Sequence, residues 1–457
     1  MKTTSACLCL FLAAPAALAA QAVGVPPNLI LPNYDRVPVG QREGIEAGAY
    51  LARTNDAAAN WYNPAGLGKS LKTSLNASAT AYEYTSLSLE GLGASAGRSR
   101  ISSIGTLLGV VIGNDVLHSD KVRLGFSITS PIVWQPSGID LTSSLQGGQE
   151  LFAYSTKVSL DVMIPNLAIA YTPGGVERGR VRVGAGVGIA ITSMSQVQDI
   201  SDRVTTPTDA AVALRSFSAD GETWGIRLTG GLQWDITPQL TIGAMVVAPT
   251  ARVLGSSFFK SQSSRWTPDS MADFIFADTN VTMDYKLPLE LSGGAAFRFA
   301  KAEIEVDVRY HGIIDPYVMY ASTLSGRLTV VNNGGAPVVT TPPFDTTMNS
   351  ARAVTNVAVG ANYPLSAKFR VHAGFSTDGS PVGDQTQSLF RQVDLSRFTA
   401  GVSMTGTRLS GSLGFGYSFG SGTRQLLGNT EGGQQTETQL SVKTANLLFA
   451  LSYGVGP

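Results

Sequence analysis

The feature that most restricts what this chain can become is a two-residue hydrophobic rhythm. It recurs in segment after segment beyond residue 70, with very little helical periodicity. In 121–134, Val122, Leu124, Phe126, Ile128 and Ile132 alternate with Lys121, Arg123, Gly125, Ser127 and Thr129. In 301–312, Ala302, Ile304, Val306, Val308 and Tyr310 alternate with Glu303, Glu305, Asp307, Arg309 and His311. Successive side chains on a strand point to opposite faces, so each such segment has one apolar face and one polar face.

The rhythm predicts fourteen strands, near 71–84, 103–112, 121–134, 156–171, 181–195, 222–235, 239–249, 287–299, 301–312, 352–363, 367–377, 397–406, 408–419 and 438–455. Many run to ten residues or more, longer than the five or six usual in soluble sheets, whereas a tilted membrane strand needs ~9–11. The gaps alternate between long (85–102, 135–155, 196–221, 250–286, 313–351, 378–396, 420–437) and short (113–120, 172–180, 236–238, 300, 364–366, 407). Transmembrane barrels have this asymmetry, with long outer loops and short periplasmic turns.

Composition supports the same class. Charged residues make up 14% of the 457, against about 25% in soluble domains. There are 50 glycines, and mean hydropathy is only +0.11. No stretch after the N-terminus has the ~18 apolar residues of a membrane helix. A soluble stack of sandwiches also buries alternating faces, but would carry more outward charge and shorter strands. The expected fold is therefore all-β: a transmembrane antiparallel barrel of about 14 strands, apolar outside. Zero formal net charge gives no reason to expect nucleic-acid binding.

Residues 1–20 read as a secretory signal, with Lys2, an apolar run from Ala6 to Ala14, and small residues before cleavage at Ala19, Ala20 or Ala22. The run is too short for a membrane anchor. Cys7 and Cys9 both lie within it, so the exported chain is expected to have no disulfide, cysteine nucleophile or cysteine metal site. Residues 21–70 form a proline-rich leader, too short for a core of its own, that could fill the lumen as a plug. Residues 71–457 are assigned to the barrel.

The segment 48–67, G-A-Y-L-A-R-T-N-D-A-A-A-N-W-Y-N-P-A-G-L, closely resembles the N-terminal hatch of the FadL/TodX family of outer-membrane transporters. Asp56 and Asn63-Pro64-Ala65 occupy the matching positions. Three further stretches resemble the family in order. They are Leu287-Pro288 leading to D-V-R-Y at 307–310, then 354–384 with Ser380-Pro381-Val382, and 394–404 with Asp394, Arg397 and Phe398. Two features depart from the pattern: the leader is longer, and the chain ends Tyr453-Gly454-Val455-Gly456-Pro457 without a terminal aromatic.

The resemblance implies a fourteen-stranded barrel in the bacterial outer membrane, with an N-terminal hatch. It implies uptake of long-chain fatty acids or other small hydrophobic molecules, captured outside and released sideways through the wall. A monomer surrounded by outer-membrane lipid is expected, with no cofactor and no metal.

Candidate residues follow. Asn63, Pro64 and Ala65 are the hatch candidates, because Pro64 fixes its own φ and restricts Asn63; a plain structural turn is the alternative. Pro131 is the lateral-opening candidate, since it removes a ladder donor from strand three; alternatively it marks a loop boundary. Phe258, Phe259, Trp266, Phe274, Ile275 and Phe276 crowd one expected loop and suit ligand capture, or mutual packing. Arg182, Arg227, Arg298 and Arg309 lie on non-apolar faces, where they could meet a carboxylate headgroup or pair with lumen acids. Gly184, Gly186 and Gly188 share one strand face and leave room in the lumen. The only histidines are His118, His311 and His372, and no G-x-S-x-G or H-E-x-x-H occurs, so a hydrolase is not supported. A general diffusion porin and a structural barrel remain as the alternatives.

Overall fold

The computed structural model describes residues 32–90, 96–135, 139–145, 150–205, 210–383, 386, 393–425 and 437–454. The expected signal segment, both cysteines and the first part of the leader lie outside the described residues.

One antiparallel sheet closes on itself through fourteen staves. β1 (Ser74–Glu90) and β2 (Ala96–Ile112) are the first two. β3 (Val122–Trp134) and β4 (Ile139–Leu145) make the third. β5 (Glu150–Tyr171), β6 (Val181–Thr205) and β7 (Ala210–Asp235) are each a stave. The seventh is β8 (Leu240–Val247) with β9 (Ala251–Thr267), and the eighth is β10 (Ser270–Met283) with β11 (Glu290–Phe299). The ninth is β12 (Ala302–His311) with β13 (Ile314–Ala321). β14 (Arg327–Asn332) and β15 (Val338–Thr340) form a hairpin whose first strand pairs with β10. The tenth stave is β16 (Thr347–Ala351) with β17 (Val354–Pro364). β18 (Phe369–Asp378), β19 (Asp394–Met404), β20 (Leu409–Gln425) and β21 (Glu437–Gly454) complete the ring. Closure is direct, because β1 pairs with β21 from Ser74↔Gly454 to Glu90↔Gln439. A closed ladder leaves no sheet edge to be solvated, which lipid cannot do.

The two faces sort as the alternation requires. On β12, Ile304, Val306, Val308 and Tyr310 are exposed, while Glu305 and Asp307 are buried. The same outward apolar set continues through Leu167, Ile169 and Tyr171, through Val183, Val187 and Ile189, and through Leu447, Phe449 and Leu451. This belt is the lipid-facing surface.

The expected long gaps 196–221 and 250–286 are not irregular loops. β6 and β7 run 25 and 26 residues, and β9 and β10 form a hairpin above the belt. The ladder continues past the lipid, and the alternation continues with its phase inverted: Phe259 is buried and Lys260 exposed. β5 carries the switch. Its inward residues are Val158, Leu160, Val162 and Ile164 toward the outer end, then Asn166, Ala168 and Ala170 toward the short turns. The sequence reading stopped these strands where the apolar face stopped pointing outward.

Residues 32–70 contain two one-turn helices, α1 (Arg42–Ile45) and α2 (Ala59–Tyr62), and a 3-10 turn at Pro64–Lys69. Their hydrogen bonds reach around the ring. Arg36 meets Glu83 of β1, Arg123 meets the Ser70 carbonyl, and Asn166 of β5 meets the Asn60 carbonyl. The backbone of Leu51 meets Asp307 of β12, Glu46 meets His372 of β18, and Thr399 of β19 meets the Ile45 carbonyl. A short segment can touch so many staves of a closed cylinder only from within.

Candidate functional site

The lumen has two compartments, and the sequence sets both. Toward the short turns, the inward residues are polar and are bonded to the N-terminal segment. Toward the outer end they are apolar and aromatic.

The polar compartment is built around Asn63 and Arg53. Asn63 is fully buried. Its Oδ1 accepts from the Ala65 amide at 3.1 Å, capping the 3-10 turn, and its Nδ2 donates to the carbonyls of Leu51 (3.0 Å) and of Leu232 on β7 (2.9 Å). Pro64 opens the turn, where its missing N–H costs nothing. A Cβ on Gly66 would stand 2.4 Å from the Thr54 carbonyl oxygen, so the glycine of this motif is there for close approach. Asn63→Ala deletes one cap and two contacts to buried carbonyls. It is expected to cost about 1–3 kcal/mol, read as a lower midpoint in thermal melts of the detergent-solubilised barrel.

Arg53 forks between acids. Its Nε lies 2.6 Å from Glu305 of β12, and its Nη2 lies 2.5 Å from Glu46, which in turn sits 2.7 Å from His372. A second cluster stands nearer the mid-lumen. Asp35 meets Arg309 at 2.5 Å, His311 at 3.3 Å and Asn356 at 2.7 Å. Burial alone would raise the Asp35 carboxyl, but the Arg309 and His311 charges and hydrogen bonds hold it well below the usual carboxylate range.

The four arginines thus divide. Arg227 and Arg309 share Glu290, at 3.2 and 3.7 Å. Arg182 pairs with Asp235 at 2.7 Å and Arg298 with Glu303 at 2.7 Å, both at the end with the short turns. All four are ion-paired.

The apolar compartment centres on Phe259. Its ring lies 4.8 Å from Phe217, 4.9 Å from Phe344, 5.8 Å from Tyr320 and 5.9 Å from Phe276. Tyr34, Ile132, Trp134, Leu160, Val162, Met194, Met283, Tyr285 and Tyr317 belong to the same buried cluster. The six expected capture residues therefore do not form one patch. Phe259, Phe274 and Phe276 point inward and are buried, while Phe258, Trp266 and Ile275 point outward. A strand sends neighbours to opposite faces; a loop reading could not foresee that.

Pro131 sits at an interruption in the wall. Among the described residues, β2 and β3 share a ladder only from Leu107↔Thr129 to Ile112↔Leu124. Beyond Thr129, β3 pairs with β5 alone, and with a register shift between Thr129 and Ile132. Proline has no amide to give, and its carbonyl is taken at 3.3 Å by the amide of Val37 from inside. Pro131 also lines a small cavity of about 30 Å³ with Tyr34, Asp35, Trp61, Tyr62 and Arg397.

The sequence reading missed Asp35, Arg36, Glu46, Arg53 and Glu290. The available signal was charge. In a chain so poor in it, ionic residues in a proline-rich leader need partners, and the inward strand faces supply them.

These features define a closed fourteen-stranded transmembrane barrel whose lumen holds its own N-terminal segment. No family model matches the sequence, and no curated protein matches it. Solved structures do. A Pseudomonas aeruginosa FadL homologue superposes with a TM-score of 0.60 at 14% identity, over 94% of this chain and 100% of that one. The Pseudomonas putida toluene transporter TodX gives 0.57 at 15%, over 92% and 99%. The Ralstonia pickettii toluene transporter TbuX gives 0.53 at 16%, also over 92% and 99%. At such identities the likeness establishes the fold: this chain has the FadL-type barrel fold.

Proposed function

We propose that this protein is a divergent FadL/TodX-type transporter of the bacterial outer membrane, exported by a cleaved signal, that takes up small hydrophobic compounds, with long-chain fatty acids as the first candidates. The observation that carries the reading is the apolar, aromatic inner face of the outer half-lumen. A sugar-conducting pore has no use for Phe259, Phe276, Trp134 and Tyr320 turned inward, whereas burial of each substrate CH2 there gains roughly 0.8 kcal/mol.

On this reading the hairpin β9–β10 captures ligand outside, and residues 32–70 act as the plug, with Asn63, Pro64 and Ala65 as its hatch. Substrate leaves sideways where β2 and β3 part company beside Pro131. The arginines serve mainly to hold the plug. The neighbours with this fold include a FadL homologue and toluene transporters, which supports the substrate class in its coarse form.

Uptake of labelled oleate and toluene, in a host lacking its own transporter, tests the reading. Phe259→Gln places a polar group in the aromatic cluster and is expected to cut uptake at least fivefold while leaving barrel assembly intact. Rapid liposome swelling with sugars by the wild-type protein would instead indicate a general porin, and no transport of any probe would indicate a structural barrel.

A further inference from the structure

Beside the short turns, the proposed plug and the wall leave an open pocket of about 380 Å³ that has no part in the passage of an apolar molecule. Arg42, Arg53 and Lys69 reach it from the N-terminal segment, and Arg182, Arg298 and Arg370 reach it from β6, β11 and β18. Two carboxylates line it, Asp235 and Glu303. Two more, Glu46 and Glu305, hold Arg53 from behind, and Glu43 and Asp56 face Arg42. The pocket's own lining therefore sets six cations against two carboxylates, with the remaining acids behind them.

The side chains are also incompletely bonded. Arg182 is 95% buried, and its Nη2 donates to the Gly179 carbonyl at 2.9 Å and to Asp235 at 2.7 Å. Its Nε and Nη1 are buried with no partner among the described residues. A buried guanidinium edge left unbonded costs about 1–3 kcal/mol or more. Arg42, at the pocket's other side, makes no side-chain hydrogen bond among the described residues. Glu43, Asp56 and Glu46 lie near its charge, and its guanidinium N–H groups are left to a ligand.

We infer that this pocket binds a phosphate group at the periplasmic mouth of the barrel. Several cations converging from different sides suit a tetrahedral, multiply charged oxyanion better than a lone carboxylate. The cations come from both the plug and the wall, so a bound phosphate bridges the two and steadies the plug. The phosphate is free in the periplasm or is the headgroup of an anionic phospholipid. The second source is within reach, because Phe297 lines the pocket and also stands exposed on the lipid-facing side.

Calorimetric titration of the mature barrel in a non-ionic detergent tests the inference separately from transport. Sodium phosphate is compared with sodium chloride at equal ionic strength, and dihexanoyl phosphatidylglycerol with dihexanoyl phosphatidylcholine. Saturable binding of phosphate, of phosphatidylglycerol or of both supports the site and tells which source fills it. Arg42→Gln and Arg182→Gln are expected to weaken that binding at least tenfold. Arg408→Gln, an exposed cation on another turn at the same end, should not. Intact folding of each variant is read from its heat-modifiable mobility in SDS gels. The inference is overturned if neither anion binds above its control, or if both pocket variants bind like the wild type.

Discussion

Gly184→Ala is expected to unseat the proposed plug, whereas Gly186→Ala, one repeat further along the same strand face, is expected to be nearly silent. A Cβ on Gly184 would stand 2.3 Å from the Ala65 amide nitrogen and 2.4 Å from the Pro64 carbonyl carbon. Both obstacles are backbone, so no rotamer change relieves them. On Gly186 the same methyl would meet its nearest atom, Asn166 Oδ1, at 3.3 Å. Overpacking of this kind costs typically 1–3 kcal/mol. Here the wall ladder between β6 and β7 is continuous from Val181↔Trp234 to Thr205↔Ala210, so the strain falls on the 3-10 turn rather than on the wall. The expected result is a folded, heat-modifiable barrel that passes sugars in liposome swelling, with faster amide exchange across residues 59–69. A sealed Gly184→Ala barrel with unchanged exchange would mean that the turn is not what closes the lumen.

The wall was legible in the sequence because lipid imposes the strictest alternation a chain can carry. On β12 every outward residue from Ile304 to Tyr310 is apolar and every inward one from Glu303 to Arg309 is charged. Both ends of such a strand can be read by eye. Above the belt that contrast fades. In β9 the exposed face alternates Phe258, Lys260 and Gln262 against Phe259, Ser261 and Ser263, so the apolar residues change sides within two positions. A rule that seeks apolar residues on one constant face ends the strand there. The backbone does not, because its hydrogen bonds depend on the neighbouring strand and not on what the side chains face.

The site was less legible than the wall for a different reason. Asn63-Pro64-Ala65 stood out because a local turn needs local residues: the Asn63 side chain caps its own 3-10 turn, and Gly66 fits under Thr54. The ionic anchors are not local. Asp35 and Arg309 are 274 positions apart, and Glu46 and His372 are 326 apart. Nothing in the spacing of either residue announces the other. The same holds for the aromatic cluster, where Phe217, Phe259, Tyr320 and Phe344 come from different staves and connections and meet only once the ring is closed.

Those distant anchors set the second large effect, that of Arg53→Ala. The side chain is nearly buried, stacks over Tyr50 at 4.4 Å, and divides its guanidinium between Glu305 on the wall and Glu46 on the N-terminal segment. Removing it leaves Glu305 fully buried without a cation, while Glu46 keeps only His372. Breaking a buried pair in this way costs about 3–5 kcal/mol, chiefly for the charge left behind. The loss is expected to appear as release of residues 42–55 to amide exchange, with the wall ladder still protected, because β12 keeps both its strand partners, β11 and β17. Arg53→Lys restores the charge but not the fork, and should recover only part of the protection. Adding Glu305→Gln to Arg53→Ala removes the stranded acid and should recover part of it as well, a coupling that a mere packing role for Arg53 would not produce. If the double variant is no better protected than the single one, the N-terminal segment is held by its turn and its aromatic contacts, and the ionic fork is secondary.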